Sequence, residues 1–241
     1  MRSGERIVIL TGAGISAESG LETYRDGGGL WEKYDLMELA TLEAFAARPD
    51  VVLDFYNMRR RAAEKAQPNA AHLALARLES AFDGQVDIIT QNVDGLHEAA
   101  GSRNLWHMHG CLNQMRCMAC GGVHDWAGNA TRQDKCPTCG EIGRLRPHIV
   151  WFGEMPHHMP EIQMMLAQCD LFISIGTSGT VYPAAGFAAA VQEQGRAQTV
   201  ELNLEPSQGN SPFDIQYYGP ATEIVPHYVN QLLRSEREKH G

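Results

Sequence analysis

The sequence predicts an α/β protein: a Rossmann-like parallel sheet domain with a smaller domain that is formed by insertions. Three observations lead to this fold class. Short apolar, β-branched runs alternate with helix-like segments, a Gly-rich turn follows the first run directly, and four cysteines interrupt the alternation near its middle. Alternating strands and helices are typical of a sheet that has helices on both faces.

The parallel sheet is predicted from four short apolar runs that have polar or Gly-rich exits. These runs are Arg6–Leu10, Val86–Thr90, Leu171–Ile175 and Thr199–Asn203. Near-continuous apolar strands are typical of a sheet that is buried on both faces. Ligands of such sheets bind at the carboxyl ends of the strands. We therefore expect all four strand exits to line one crevice.

Two stretches interrupt this rhythm and are predicted to form the smaller domain. Its helical part is expected at residues 27–70, and its cysteine-containing part at residues 111–146. The sheet domain is then made of residues 1–26, 71–110 and 147–241.

The four cysteines form two Cys-x-x-Cys pairs, Cys117 with Cys120 and Cys136 with Cys139. This spacing suits one tetrahedral Zn²⁺, because each short turn presents two thiolates to the ion. Four thiolates leave no open position for water or substrate, so the predicted zinc is structural. The alternative is two disulfides or free thiols, which we disfavour because nothing marks the chain as secreted.

Composition limits the partners that we expect. A net charge of −9 argues against direct nucleic-acid or membrane-surface binding. No apolar segment approaches the roughly 20 residues of a membrane span, and the first apolar run is too short for a signal peptide. The expected location is the cytoplasm.

The turn after the first strand indicates a dinucleotide site. Residues 12–17 read G-A-G-I-S-A, which matches G-x-G-x-x-[G/A]. Glycines let the backbone approach a pyrophosphate, and the following helix N-terminus offers N–H donors. Alone the motif is weak, since a tight strand-to-helix turn gives the same pattern. The usual acidic residue about 20 positions later is missing, and Glu205 is the predicted replacement for binding ribose hydroxyls.

A general base is predicted at His109, while standard hydrolase motifs are missing. There is no G-x-S-x-G, and His97-Glu98 begins an H-E-x-x-H motif that lacks its second histidine. His109 precedes a glycine and lies near the polar strand exit at residues 91–94. An imidazole titrates near neutral pH, which suits a base at a cleft edge. The alternative is a surface or structural role, because the chain has 10 histidines.

Taken together, these motifs have a familiar order. The chain resembles the sirtuins, the NAD-dependent protein-lysine deacylases, with the greatest likeness to bacterial CobB-type enzymes of the desuccinylase-like subclass. The matching stretches are Gly12–Ser16 with Ser19-Gly20, Gln91–Asp94, His109-Gly110, the four cysteines, Phe152–Glu154, Gly176–Ser178 and Asn203–Glu205.

The resemblance implies a role for each matching residue. His109 is the implied general base, and Asn92 and Asp94 join it in the catalytic set. The diphosphate and nicotinamide-ribose side of NAD is assigned to Gly12, Ala13, Gly14, Ser16, Glu18, Tyr24 and Arg25. The nicotinamide pocket is assigned to Gln91, Asn92 and Asp94, and the adenosine half to Gly176, Thr177, Ser178, Asn203, Leu204, Glu205 and Ala221. An edge strand that pairs with the substrate peptide is assigned to Val150, Phe152, Gly153 and Glu154. Tyr24 departs from the family, which usually has Phe there.

The implied reaction consumes NAD as a co-substrate and acts on acylated lysine side chains of proteins. The acyl carbonyl oxygen attacks C1′ of the nicotinamide ribose, nicotinamide leaves, and His109 helps a ribose hydroxyl to lose its proton. No serine, cysteine or metal-bound water is needed.

The helix that begins at Pro49-Asp50 and runs to about Ala66 is predicted to select the acyl group. A stripe of Val51, Phe55, Met58 and Ala62 should face the core. Tyr56 and Arg59 then lie on the flank, where a phenol and a guanidinium could bind a carboxylate. The alternative is that Arg59, Arg60 and Arg61 form a solvated basic face. Within the family, Tyr-x-x-Arg in this helix marks enzymes that accept succinyl and malonyl groups, so we expect removal of both acetyl and succinyl groups.

Two rival functions stay open at this point. One is mono-ADP-ribosyl transfer from the same NAD. The other is a zinc-ribbon binding module without catalysis, for which Arg116, Trp126, Arg132 and Lys135 offer a few basic and aromatic groups. The protein substrates and the oligomeric state are not predicted.

Overall fold

The structure is a computed structural model that describes residues 4–21, 38–208 and 213–240, with side chains up to residue 235. The described strands are β1 (Arg6–Thr11), β2 (Gln85–Thr90), β3 (Leu105–His107), β4 (Gly110–Cys117), β5 (Val123–Asp125), β6 (Leu145–Ile149), β7 (Leu171–Ile175), β8 (Gln198–Asn203) and β9 (Ile215–Tyr218). The described α-helices are α1 (Leu42–Ala47), α2 (Pro49–Lys65), α3 (Ala70–Ala81), α4 (Leu96–Ala100), α5 (Met159–Gln168), α6 (Phe187–Gln194) and α7 (Ala221–His240). Within these ranges, no helix has both the length and the apolar character that crossing a bilayer requires.

Six strands form one parallel sheet in the order β3-β2-β1-β7-β8-β9. The four strands predicted from the sequence are its four central strands, which confirms the fold class. From β1 the chain continues to β2 and β3 on one side of β1, and it later adds β7, β8 and β9 on the other side. The strand order therefore reverses between β1 and β7. In such sheets the ligand crevice lies at this reversal, outside the carboxyl ends of the strands.

Alternation along the central strands gives the sheet two buried faces. Ile9 and Ile173 belong to the core on one face, beneath α3 and α7. Val8 and Phe172 belong to the core on the other face, beneath α5 and α6. Burial on both faces explains why these strands are apolar at successive positions.

The smaller domain contains a three-stranded antiparallel sheet in the order β5-β4-β6. Helices α1 and α2 pack against it around a second core that includes Phe45, Val52, Met115 and Trp151. This sheet extends from residue 110 to residue 149, slightly beyond the predicted segment 111–146. The division of the chain into domains at the stated boundaries stays a prediction.

The predicted helix at 50–66 is α2, but the predicted core stripe is wrong. Val51 is 45% exposed and Ala62 is also exposed, whereas Val52 and Tyr56 are buried. The buried face is therefore rotated from the predicted one, although Phe55 is buried as expected.

Arg60 explains the rotation of the helix. Its guanidinium is buried and donates to the carbonyl oxygens of Leu112 at 2.8 Å and Gly128 at 3.0 Å, and to Asn57 Oδ1 at 2.9 Å. Burial lowers the pKa of Arg60, against the opposing effect of Glu64. The charged Arg60 side chain thus occupies a core position, where it donates hydrogen bonds to three protein oxygens. The prediction of a solvated basic face is therefore wrong for Arg60.

Candidate active site

The carboxyl ends of β1 and β7 meet through three glycines. Gly12 N donates to Ile175 O at 3.0 Å, and Gly14 N donates to Gly176 O at 2.9 Å. A Cβ on Gly14 would lie 2.7 Å from Gly176 Cα, and Gly176 itself has a φ of +61°. These glycines allow one strand exit to dock on another. This close approach of two backbones is a reason for glycine that the motif alone did not reveal.

Ser16, Asn92 and Asp94 form a buried hydrogen-bond network beside this contact. Asn92 Nδ2 donates to Gly12 O at 3.1 Å and to Ser16 Oγ at 3.2 Å. Ser16 Oγ in turn donates to Asp94 Oδ2 at 3.1 Å. Burial raises the pKa of Asp94, while the hydrogen bonds from Leu96 N and Ser16 act against that shift. Three residues predicted at the nicotinamide side thus belong to one connected group.

His72 extends this network and was missed by the sequence reasoning. Its Nε2 lies 3.4 Å from Ser16 Oγ, and its Nδ1 accepts from Asn69 N at 3.4 Å. Burial lowers the pKa of His72 to about 4, so the ring is neutral at physiological pH. The only signal in the sequence was a histidine within an otherwise apolar helical run.

His109 lies between β3 and β4 and is held at both its backbone and its ring. Its carbonyl oxygen accepts from Val150 N at 2.9 Å, and its Nδ1 lies 3.1 Å from Gln91 O. A carbonyl oxygen only accepts, so Nδ1 carries the proton and Nε2 offers a lone pair. A Cβ on Gly110 would clash with His148 O, which explains the glycine that follows His109.

The electrostatic environment keeps His109 neutral. Burial is the main cause that lowers its pKa; the hydrogen bond to Gln91 opposes this shift, and the nearby His157 adds to it. A neutral imidazole with a free nitrogen can accept a proton, which is the chemistry of a general base.

His107 has the opposite character. Its Nδ1 lies 3.1 Å from Asn92 O, and its Nε2 lies 2.7 Å from Glu98 Oε1. Burial lowers the pKa of His107, but hydrogen bonding and charge from Cys111 and Glu98 outweigh it and raise the pKa to about 10. A ring that holds its proton so firmly is a poor base, which leaves His109 as the better candidate of the two.

Polar residues that were predicted for the adenosine half follow β7 and β8. Asn203 Nδ2 donates to Thr177 O at 2.8 Å, which ties these two strand exits together. Leu204 and Glu205 are exposed at the end of β8. The buried Glu201 was missed: its carboxylate accepts from Ser207 N at 3.1 Å and from Tyr218 Oη at 3.0 Å, and so fixes the loop after β8.

Two predicted cofactor contacts lie outside the described residues. A third, Glu18, is hydrogen-bonded to another residue of the chain. Tyr24 and Arg25 fall in the segment that the structure does not describe. The Glu18 carboxylate accepts from Thr222 N at 2.9 Å and from Thr222 Oγ1 at 2.6 Å, at the start of α7 beside Ala221. A carboxylate is favourable at a helix N-terminus because the N–H groups there lack helical partners.

Residues 150–154 lie outside the described strands and contain a turn, so the predicted edge strand is not present here, and the pairing of this segment with a substrate peptide stays a prediction. Phe152 N donates to Ala40 O at 2.9 Å, and Glu154 N donates to Trp151 O at 3.0 Å. Gly153 has a φ of +86°, and Phe152 is exposed. The turn is held by one local bond, between Glu154 N and Trp151 O, and by one long-range bond, between Phe152 N and Ala40 O.

Glu154 holds this turn to the small sheet. Its two carboxylate oxygens accept from Arg146 Nη1 at 2.7 Å and Nη2 at 2.9 Å, and one of them also accepts from Trp151 N at 2.9 Å. The Arg146 guanidinium also lies 3.5 Å from the centre of the Trp151 ring. Bidentate pairs of this kind fix orientation strongly.

Tyr56 on α2 contacts this region, and Arg59 lies three residues further along the same helix. Tyr56 is 2% exposed, more buried than a flank position predicts, and its Oη accepts from Trp151 Nε1 at 2.8 Å. Arg59 is half-buried, with its guanidinium 5.9 Å from the centre of the Phe55 ring. Trp151 was missed by the sequence reasoning, although it links α2 to the turn at 150–154.

The four cysteines of the smaller domain converge, with all four sulfur atoms within 4.8 Å of one another. The Cys117–Cys139 and Cys120–Cys136 sulfur distances are each 3.7 Å. A tetrahedral Zn²⁺ with Zn–S bonds of about 2.3 Å separates its sulfurs by about 3.8 Å, whereas a disulfide needs about 2.0 Å. The cluster therefore fits one zinc ion held by four thiolates, and a disulfide framework does not fit.

Comparison with known proteins identifies the family. Residues 12–183 match the Sir2 family. The chain belongs to this family. A relative from Pasteurella multocida (strain Pm70), named NAD-dependent protein deacylase, is 57% identical over 230 residues, which is 95% of this chain and 98% of that protein.

Solved Sir2 structures share the fold. A Sir2 homolog–NAD complex has a TM-score of 0.85 and 38% identity, covering 96% of this chain and 90% of the other. A structure described as Sir2 bound to acetylated peptide has a TM-score of 0.79 and 26% identity, covering 93% of this chain and 92% of the other.

Proposed function

We propose that this chain is an NAD-dependent protein-lysine deacylase that removes acetyl groups, and also succinyl and malonyl groups, from lysine side chains. Family membership and the name of the Pasteurella multocida relative support the reaction class. The observation that carries the proposal is His109, a neutral imidazole with a free Nε2 at the carboxyl edge of the parallel sheet.

NAD is a substrate in this proposal, and it supplies an electrophilic sugar carbon that the acyl oxygen can attack. The strand exits offer the groups that a dinucleotide needs: a Gly-rich turn, hydroxyls and buried amide and carboxylate groups. His109 accepts the proton of a ribose hydroxyl at Nε2. The hydrogen bonds that join Ser16, Asn92 and Asp94 would hold the nicotinamide side in a fixed arrangement.

The turn at 150–154 is proposed to contact the substrate peptide. It is bonded to His109 through Val150 N and presents the exposed Phe152. One zinc ion at the four cysteines would hold β4, β5 and β6 together and take no part in the chemistry.

Arg59 and Tyr56 are proposed to bind the carboxylate of a succinyl or malonyl group. Replacing Arg59 with Met should lower kcat/KM for a succinylated peptide by roughly 30-fold, about 2 kcal/mol, a value at the low end for charge pairs because Arg59 is half-exposed. The kcat/KM for the acetylated form of the same peptide should change little. Arg61→Met is a matched control, because Arg61 is exposed and its Nη1 contacts Asn129 Oδ1. An equal loss on both peptides would assign Arg59 a structural role.

The reaction class is tested by mass spectrometry of one acetylated peptide with NAD. The expected products are free peptide, nicotinamide and O-acetyl-ADP-ribose in equal amounts, with no turnover when NAD is omitted. ADP-ribose attached to protein would instead support ADP-ribosyl transfer. Loss of the acetyl group without NAD would refute the proposal.

A further inference from the structure

A second group of side chains that could ligate a metal ion is present besides the four cysteines. Glu98 on α4, His107 on β3 and Cys111 on β4 place one ligand atom each within 4.8 Å of the other two. Three different elements thus direct a carboxylate, an imidazole and a sulfur toward one point. Apart from the four cysteines, the described residues form no other such group.

The imidazole is already oriented as a metal ligand. His107 Nδ1 lies 3.1 Å from the carbonyl oxygen of Asn92, which can only accept, so Nδ1 carries a proton. That bond directs Nε2 toward Glu98, whose Oε1 lies 2.7 Å away. Metal-binding histidines commonly donate their other ring N–H to a backbone carbonyl, which fixes the ring in this way.

The donor set selects the class of cation. A sulfur, an imidazole nitrogen and a carboxylate oxygen suit Zn²⁺, which accepts all three types at about 2.0–2.3 Å. Mg²⁺ and Ca²⁺ prefer sets made of oxygen atoms. Three protein ligands leave the fourth zinc position open to water.

A small movement makes room for the ion. Tetrahedral bonds of about 2.0 Å place neighbouring N and O ligands about 3.3 Å apart, so the 2.7 Å contact between His107 and Glu98 must open by ~0.6 Å. The Glu98 side chain is 48% exposed and can move by that amount, while the bond from His107 to Asn92 is kept.

We propose that Glu98, His107 and Cys111 form a second, exchangeable Zn²⁺ site, distinct from the structural site at the four cysteines. The ion takes the place of the proton on His107 Nε2. It would bridge α4 to β3 and β4, directly beside the segment that contains His109.

Equilibrium dialysis of the full chain, with its structural zinc in place, against buffered Zn²⁺ tests the proposal. Elemental analysis should count two zinc ions per wild-type chain, and one ion in the Cys111→Ser and Glu98→Gln proteins at the same free Zn²⁺. Titration calorimetry should show at least about 10-fold weaker binding of the second ion in both variants. Cys169→Ser is the control: this buried thiol lies in another part of the core, so that variant should keep both ions.

Two further observations separate this site from its rivals. Co²⁺ added to zinc-loaded protein should give a thiolate charge-transfer band in the wild type that is absent from Cys111→Ser. The stacked rings of His148 and His157, 4.6 Å apart, are the main competing location, and His157→Gln should leave the second ion bound. A count of one ion in the wild type would overturn the proposal. So would a second ion that persists in both Cys111→Ser and Glu98→Gln, or one that is lost in His157→Gln.

Discussion

The ion pair between Glu154 and Arg146 should contribute strongly to protein stability and should fix the turn at 150–154. In Glu154→Gln, the amide keeps one acceptor oxygen and loses the charge, so the Arg146 guanidinium remains 7% exposed with a weakened partner. Breaking a buried ion pair costs about 3–5 kcal/mol. Here Glu154 is 25% exposed, and Arg146 retains a bond to Ile149 O at 2.6 Å and its contact with Trp151. We therefore expect a loss of about 2–3 kcal/mol in the free energy of unfolding.

Urea denaturation measures this loss, and kinetics should show its effect on the site. Glu154 also accepts from Trp151 N, and the neighbouring Val150 N bonds to His109 O, so the backbone of His109 should loosen with the turn. We expect a lower kcat/KM for an acetylated peptide in the same variant. Glu193→Gln is the matched control, since Glu193 is exposed on α6 and should change stability by less than about 0.5 kcal/mol.

A double-mutant cycle with Arg146→Met decides whether the pair itself is responsible. If the two side chains stabilise each other, the double mutant should be less unstable than the sum of the single mutants, by about 1 kcal/mol or more. Additive losses, or a Glu154→Gln protein as stable as the Glu193→Gln control, would refute this reasoning.

Three further predictions concern the metal, a glycine and a buried histidine. Chelation of zinc should lower Tm and increase hydrogen exchange across residues 110–149; an unchanged Tm would contradict a structural zinc. Gly176→Ala should cost at least about 2 kcal/mol in urea unfolding, because its φ is +61° and the new Cβ would lie 2.5 Å from Ile15 N. Gly195→Ala, with a φ of +65° and nothing within 4 Å, should cost only about 1 kcal/mol, and equal losses would remove the docking argument. The folded protein keeps His72 neutral, whereas the unfolded chain protonates it near pH 6.5, so stability should fall by up to about 3 kcal/mol as the pH drops from 6.5 toward 4. His72→Gln should reduce this pH dependence, to which burial of His97 and His148 also contributes, and the exposed His227→Gln should not; the same slope in both would contradict it.

The parallel sheet could be predicted because its signal is local. A strand such as β1 or β7 is buried on both faces, so its own composition identifies it, and the polar exit that follows marks its carboxyl end. The position of the zinc ligands was also local, since each Cys-x-x-Cys pair is one short turn. Both predictions needed no knowledge of distant contacts.

The orientation of α2 could not be predicted from its own residues. Two neighbouring stripes on the helix surface differ by a shift of one residue. Hydrophobicity alone favours burial of the stripe with Val51 and Met58 over burial of Arg60. Arg60 is nevertheless buried, because carbonyl oxygens of Leu112 and Gly128, more than 50 residues away, accept its hydrogen bonds. Long-range partners of this kind leave no periodic trace in the sequence.

The same reason explains the site residues that were missed. His72, Trp151 and Glu201 act through bonds to Ser16, Tyr56 and Tyr218, each formed between separate elements of the fold. Glu201 left one weak sign, a carboxylate between the apolar Val200 and Leu202. The turn at 150–154 likewise depends on Ala40, which no pattern near the turn could supply.

The central claim is that a neutral imidazole at position 109 drives an NAD-consuming deacylation. The most direct measurement compares nicotinamide release and peptide deacetylation by the wild type and by His109→Gln, at equal protein and saturating NAD. Removal of a general base should reduce turnover by roughly 10²- to 10⁴-fold. Tm should stay near the wild-type value, because the bond from Val150 N to the backbone of residue 109 is retained. A folded His109→Gln protein that deacetylates at the wild-type rate would contradict the account.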